Sequence, residues 1–199
     1  MPVSIDAIPI AEDADDGSMW LNRGMGIWNP SGEQGNQGFF GGYPADLPYY
    51  GYFRFELPVS IPAGATIDSA TLSLTGWTTW MWDPSSDALA VEIENASDAE
   101  QVQGFERFPP DGLTVLVEAT TRWPTDGGLD WASDGINVSP DLASLLQQVV
   151  DQHDGLAANA HVQFWLRMDE IDADFGEVGY VEFASSPEDA ATLSLEFTP

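Results

Sequence analysis

Apolar and polar residues alternate in steps of two along much of this chain. From Gly51 to Leu57, Phe53, Phe55 and Leu57 fall on one side and Tyr52, Arg54 and Glu56 on the other. Ala70, Leu72 and Leu74 alternate with Thr71, Ser73 and Thr75. The same rhythm sets Leu89, Val91 and Ile93 against Ala90, Glu92 and Glu94, and Leu113, Val115 and Val117 against Thr114, Leu116 and Glu118. Val162, Phe164, Leu166 and Met168 alternate with Gln163, Trp165 and Arg167, and Leu193, Leu195 and Phe197 with Thr192, Ser194 and Glu196. Successive side chains of an extended strand point to opposite faces, so each stretch predicts a strand with one face buried and the other toward water. Weaker strands are predicted at Val3 to Ile10 and Gly179 to Ala184. With 14 Pro and 19 Gly between these runs, about eight strands predict an all-β fold, a two-sheet jelly-roll-type β-sandwich.

One stretch breaks the rhythm. Leu142, Leu145, Leu146, Val149 and Val150 recur at helical spacing. Ser139 suits an N-cap, Pro140 the first helical position and Asp141 the positive end of the dipole. These residues predict one short amphipathic helix over about 140–151, closing one end of the sandwich. Gln147, Gln148 and Gln152 are expected to face water, with His153 at the helix end. No internal repeat or linker is visible. A single domain over residues 1–199 is expected, with a long Gly/aromatic-rich loop at about 22–50.

Charge narrows the partners. Asp and Glu total 33 against five basic residues, all arginine (Arg23, Arg54, Arg107, Arg122, Arg167), for a net charge of −28. Such a surface repels nucleic acid and anionic membranes, and favours cations, basic proteins or neutral sugars. The absence of cysteine excludes disulfides and thiolate chemistry. Met1 to Asp6 shows no basic-then-apolar leader, and no run reaches membrane-spanning length, so a soluble product is expected.

GYFRFELPVSIPAGATIDSATLSLTGW, VSPDLASLLQQVV and YVEFASSPEDAATLSLEF resemble segments of DNRLRE-type, carbohydrate-binding-module-like β-sandwich modules. GYFRFELPVSIPAGATIDSATLSLTGW (Gly51 to Trp77) is similar to their central Arg-Phe strand, Pro-Ala-Gly-Ala-Thr-Ile turn and Ser-Ala-x-Leu-x-Leu strand. Within Val115 to Leu166, VSPDLASLLQQVV resembles their helix entry, and YVEFASSPEDAATLSLEF (Tyr180 to Phe197) their closing segment. The likeness fades between Met25 and Pro48 and between Thr78 and Ser86. Such modules occur in secreted bacterial proteins and in phage virion proteins. The resemblance implies a jelly-roll sandwich that binds or covers a surface.

Candidate chemistry is sparse. His153 and His161 are two ordinary histidines, His161 beside the expected outward Gln163 and Trp165, and no nucleophile-elbow pattern occurs. No enzyme activity is expected. Calcium takes six to eight oxygens, and two acidic clusters are candidate ligand sets: Asp13, Asp15 and Asp16, and Glu170, Asp172 and Asp174. Solvated acidic loops are the plainer reading of both. No other cofactor is expected. Candidate binding aromatics are Trp77, Trp80 and Trp82, read as projecting to one side of an extended segment, and Phe39, Phe40 and Tyr43.

Two functions follow as expectations. One is a virion structural protein, a phage capsid decoration or cement protein or a tail-associated protein, on the particle exterior and bound to other virion proteins, with a homotrimer as one arrangement. The other is an extracellular carbohydrate-binding or adhesive module whose tryptophans grip glycan.

Overall fold

The alternating segments become strands in the computed structural model, which describes residues 1–22, 25–29, 37–42, 48–81, 88–102, 116–124, 130–168, 176–183 and 186–199. In chain order they are β1 (Val3–Pro9), β2 (Asp16–Asn22), β3 (Met25–Asn29), β4 (Gln37–Gly42), β5 (Pro48–Glu56), β6 (Ile61–Pro62) and β7 (Thr66–Met81). There follow β8 (Leu89–Ile93), β9 (Thr121–Trp123), β10 (Ile136–Val138), helix α1 (Ala143–Gln152), β11 (Gly155–Leu156), β12 (His161–Met168), β13 (Gly176–Val181) and β14 (Thr192–Thr198). All pairings are antiparallel. The fold is an all-β sandwich.

The first sheet runs β1-β14-β7-β10. The second runs β7-β13-β4-β5-β12-β8-β9, with β2 paired to β5 and β3 to β2. Strand β7 serves both: Thr66 to Ser73 pairs with β14, and Gly76 to Met81 pairs with β13. Phe53, Phe55 and Leu57 from one sheet meet Leu72, Leu193 and Leu195 from the other in one buried cluster. The turn before β7 forms as its residues predict. Ala65 N–H donates to Pro62 O at 3.1 Å, and Gly64 takes φ +76°, a conformation that costs a residue without Cβ little.

Fourteen strands appear among the described residues, not about eight. Several of the additional ones are two or three residues long and too short to show a period. Strands β3 and β4 fall in the glycine-rich 22–50 stretch expected to be a loop; glycine there interrupts any oil-and-water rhythm, but the backbone still pairs with β2 and β13. Of the expected strand at 113–117, residues 113–115 lie outside the described residues, and Leu116 forms an isolated bridge to Glu94.

The helix is also repositioned. It starts at Ala143 with Leu142 as N-cap, because Ser139 and Asp141 are engaged by the edge of β7. Ser139 Oγ accepts Leu72 N–H at 2.9 Å, and Asp141 Oδ1 accepts both Ala70 N–H at 2.9 Å and Ala143 N–H at 3.0 Å. Gln147, expected in water, accepts Ile67 N–H and donates to Ala65 O. The helix and its lead-in thus cover donors that β7 would otherwise expose. Leu145, Leu146, Val149 and Val150 face the core, as their spacing predicts.

Candidate binding surface

Most of the polar faces expected to meet water are covered. On the second sheet, Tyr52, Gln163 and Trp165 are completely buried, with Ala99, Val102 and Leu116 packed over this face. Ala99 N–H donates to His161 O, Arg54 Nε to Ala99 O at 2.8 Å, and Leu116 packs beside Tyr50, Tyr52, Val102 and Trp165. Two ion pairs lie beneath, Arg54 Nη1 to Asp15 Oδ1 at 2.6 Å and Arg167 Nη2 to Glu92 Oε1 at 3.1 Å, and the neutral Gln163 donates from Nε2 to Glu94 Oε2 at 3.0 Å. Gln163 Oε1 and Trp165 Nε1 have no hydrogen-bond partner among the described residues.

The first acidic cluster becomes an internal corner. Asp15 is held by Arg54, while Asp16, fully buried, accepts Phe183 N–H at 3.0 and 3.3 Å through its two oxygens. Glu182 lies beside this corner at 3% exposure, and Tyr180 Oη donates to Gly17 O at 2.6 Å. Burial, then the Glu182 charge, pushes Asp16 well above the usual carboxylate range; Asp13 and Asp15 add to this, and the Phe183 N–H partly offsets it. Burial, with the Asp13 charge, raises Glu182 to about 8. Burial, then the Glu182 and Asp16 charges, raises the Tyr180 phenol well above its ordinary value. Among the described residues, no group of three or more His, Asp or Glu side chains is placed to hold a metal ion. Glu170, Asp172 and Asp174 lie outside the described residues.

The outer face of the first sheet is different. Thr71, Ser73 and Thr75 of β7 and Thr192, Ser194 and Glu196 of β14 present short polar side chains there, half-buried. On β10, Ile136 and Val138 stand out at 62% and 56% exposure, and Trp77 on β7 at 37%. Ile136 faces Thr75 across the pair and Val138 faces Ser73, with Trp77 two positions beyond Thr75. Among the residues whose side-chain burial is described, the large apolar ones exposed are these three with Met1 and Val59, and the three lie together.

This patch sits on a stiff base. Asn137, between the two exposed residues, turns inward: its Oδ1 accepts Ala132 N–H at 2.8 Å, and its Nδ2 donates to Ala132 O and Gly135 O. Trp131 Nε1 donates to Gly179 O at 3.0 Å, and the Trp131 ring tilts against Trp123. Gly76 lies beneath, where an added Cβ would come within 2.1 Å of Ala132 O and 2.8 Å of Asn137 Nδ2. Gly76→Ala should therefore cost about 1–3 kcal/mol through a forced backbone shift, read as a lower urea midpoint with an unchanged slope. A loss below about 0.5 kcal/mol would show that the base yields.

Of the predicted aromatic surface, Trp77 is exposed. Trp77 and Trp80 lie three residues apart on β7, and the register with β13 shifts at Trp77. Phe39, Phe40 and Trp80 are placed by backbone alone, Phe40 opposite Val178, Phe39 opposite Gly179 and Trp80 opposite Glu177. Tyr43 and Trp82 lie outside the described residues. Ile136 and Val138 were not singled out by sequence. Their signal was local: two β-branched residues alternating between the breakers Asp134-Gly135 and Ser139-Pro140.

No family model matches this chain, and no curated protein matches it either. What it does must be argued from this surface. No helix among the described residues is long and apolar enough to cross a membrane.

Proposed function

We propose that this chain is a non-enzymatic structural protein of a virion exterior, a phage capsid decoration (cement) or tail-associated protein that docks on other virion proteins through the outer face of its first sheet. The observation that carries this reading is the exposed trio Trp77, Ile136 and Val138 on two paired, internally braced strands. A preorganised apolar patch loses little entropy when a partner covers it. Charge selects the partner. The three described arginines are engaged within the fold, Arg54 with Asp15, Arg167 with Glu92 and Arg122 with Pro124 O, while the chain carries −28 overall. A protein surface with basic residues around an apolar centre is complementary to that arrangement. The similarity to DNRLRE-type modules, which include virion proteins, supports the same reading.

A second reading, an extracellular glycan-binding module, is favoured by one observation: Trp77 lies on the same outer face as the hydroxyls of Ser73 and Thr75. Stacking on an indole with hydroxyl contacts alongside suits a neutral sugar.

Mass spectrometry of purified particles should find the protein at a high fixed copy number. Ile136→Asp with Val138→Asp should reduce its attachment at least about tenfold, since two desolvated charges would face the partner, with little change in melting temperature. Absence from particles, combined with glycan binding lost on Trp77→Ala, would replace the first reading with the second.

A further inference from the structure

The first sheet has two outer edges, and they are finished differently. Strand β1 is blunted: Pro2 precedes it, Pro9 is its last residue, and Ala7 at φ +54° interrupts its pairing between Ile5 and Ile8. Proline and bulges are common ways to make an edge unreceptive to another strand. Strand β10 has neither within its span. Gly135 O accepts Gly76 N–H at 2.8 Å, and Ser139 N–H donates to Leu72 O at 2.8 Å, so the odd-numbered positions 135, 137 and 139 turn their backbone groups toward β7. By alternation, the N–H and C=O of Ile136 and Val138 point away from the sheet. Among the described residues nothing bonds to them. The side chains of both are exposed, and both are β-branched. Asp130 and Asp134, both exposed, lie just before the strand. Lysine, a common edge guard, is absent from the whole chain.

We propose that β10 is a pairing edge, onto which the docking partner adds an extended segment of its own, apolar at alternate positions and flanked by lysine or arginine. This rests on the docking reading above. Main-chain bonds to Ile136 and Val138 supply affinity, and their side chains with Trp77 supply the apolar contacts, as in other cases of strand addition. The basic flank at the end near Gly135 meets Asp130 and Asp134. The three-residue length of β10 limits the added strand to a short one, so tight attachment requires several copies acting together.

The test uses the full chain and a synthetic peptide of alternating Val and Thr between terminal lysines. Binding should slow amide exchange at Ile136 and Val138 at least about tenfold, and raising the salt should weaken it. Val138→Pro deletes one outward N–H and leaves the bonds to β7 intact, a change edge strands tolerate. It should weaken binding about tenfold, whereas Val138→Thr should keep it within about threefold. Unchanged exchange at Ile136 and Val138 with saturating peptide would overturn the proposal. So would protection that appears without peptide as protein concentration rises, with dimers in sedimentation, since the edge would then serve a second copy of this chain. Particle attachment separates the two readings. If Ile136→Asp with Val138→Asp releases the protein but Val138→Pro does not, the docking reading stands and strand addition falls. If neither releases it, both fall.

Discussion

Arg54→Ala should destabilise the protein by about 3–5 kcal/mol, the usual result of removing one partner from a buried ion pair. Arg54 does two things at once: Nη1 holds Asp15 at 2.6 Å, and Nε donates to Ala99 O at 2.8 Å, pinning the covering segment over the second sheet. Asp15 is 2% exposed. Without the guanidinium its charge would remain beside Asp16, with the long 3.5 Å contact from Gln101 Nε2 as its one other side-chain hydrogen bond among the described residues. Urea unfolding of the variant measures the loss. Adding Asp15→Asn to Arg54→Ala should recover part of it, because the neutral amide no longer needs a counter-charge. A loss under about 1 kcal/mol would mean that water reaches Asp15 when the arginine is gone.

Raising the pH should weaken the fold, and Glu182→Gln should remove much of that dependence. The folded-state value of Glu182, about 8 against an ordinary 4.5, is raised, so the folded protein binds a proton that the unfolded chain releases. The contribution is therefore fully present below about pH 4.5 and is lost as pH climbs toward 8. A shift of this size corresponds to roughly 3–5 kcal/mol at the upper end of the window. Asp16, raised in the same direction by burial and by Glu182, adds to the trend. The overall negative charge also opposes folding at high pH, but it is nearly common to both proteins. Wild type and Glu182→Gln should thus match near pH 5 and diverge by pH 8.5 in chemical denaturation, with the variant the more stable. Parallel curves would show that Glu182 is ionised and solvated in the folded protein.

The sequence pattern exposed the inward faces well because alternation is a local property: Phe53, Phe55 and Leu57 are buried, as are Leu72, Leu74, Leu193 and Leu195. It could not tell that the opposite face of β12 is covered too. Whether Gln163 and Trp165 meet water depends on Ala99 and Leu116 arriving from elsewhere in the chain, and no period records that. Asp16 and Glu182 are 166 positions apart and are brought near one another by β2 and β13. In the sequence Asp16 reads as part of an acidic cluster with Asp13 and Asp15, and Glu182 as one more surface acid in a chain with 33 acids. Strand β10 failed for a different reason. Three residues give alternation only one step, and the exposed side chains at its ends look like ordinary turn-flanking residues until the edge they occupy is known.

The pairing of Val3 with Phe197 has a consequence for how the molecule is made. β1 is synthesised well before its partner β14, with nearly all of the described strands between them. β14 in turn needs β7 beside it. Contacts this distant along the chain slow folding and leave nascent strands waiting. The first sheet therefore cannot close until β14 has been made, and refolding should be slow compared with helical proteins of similar size.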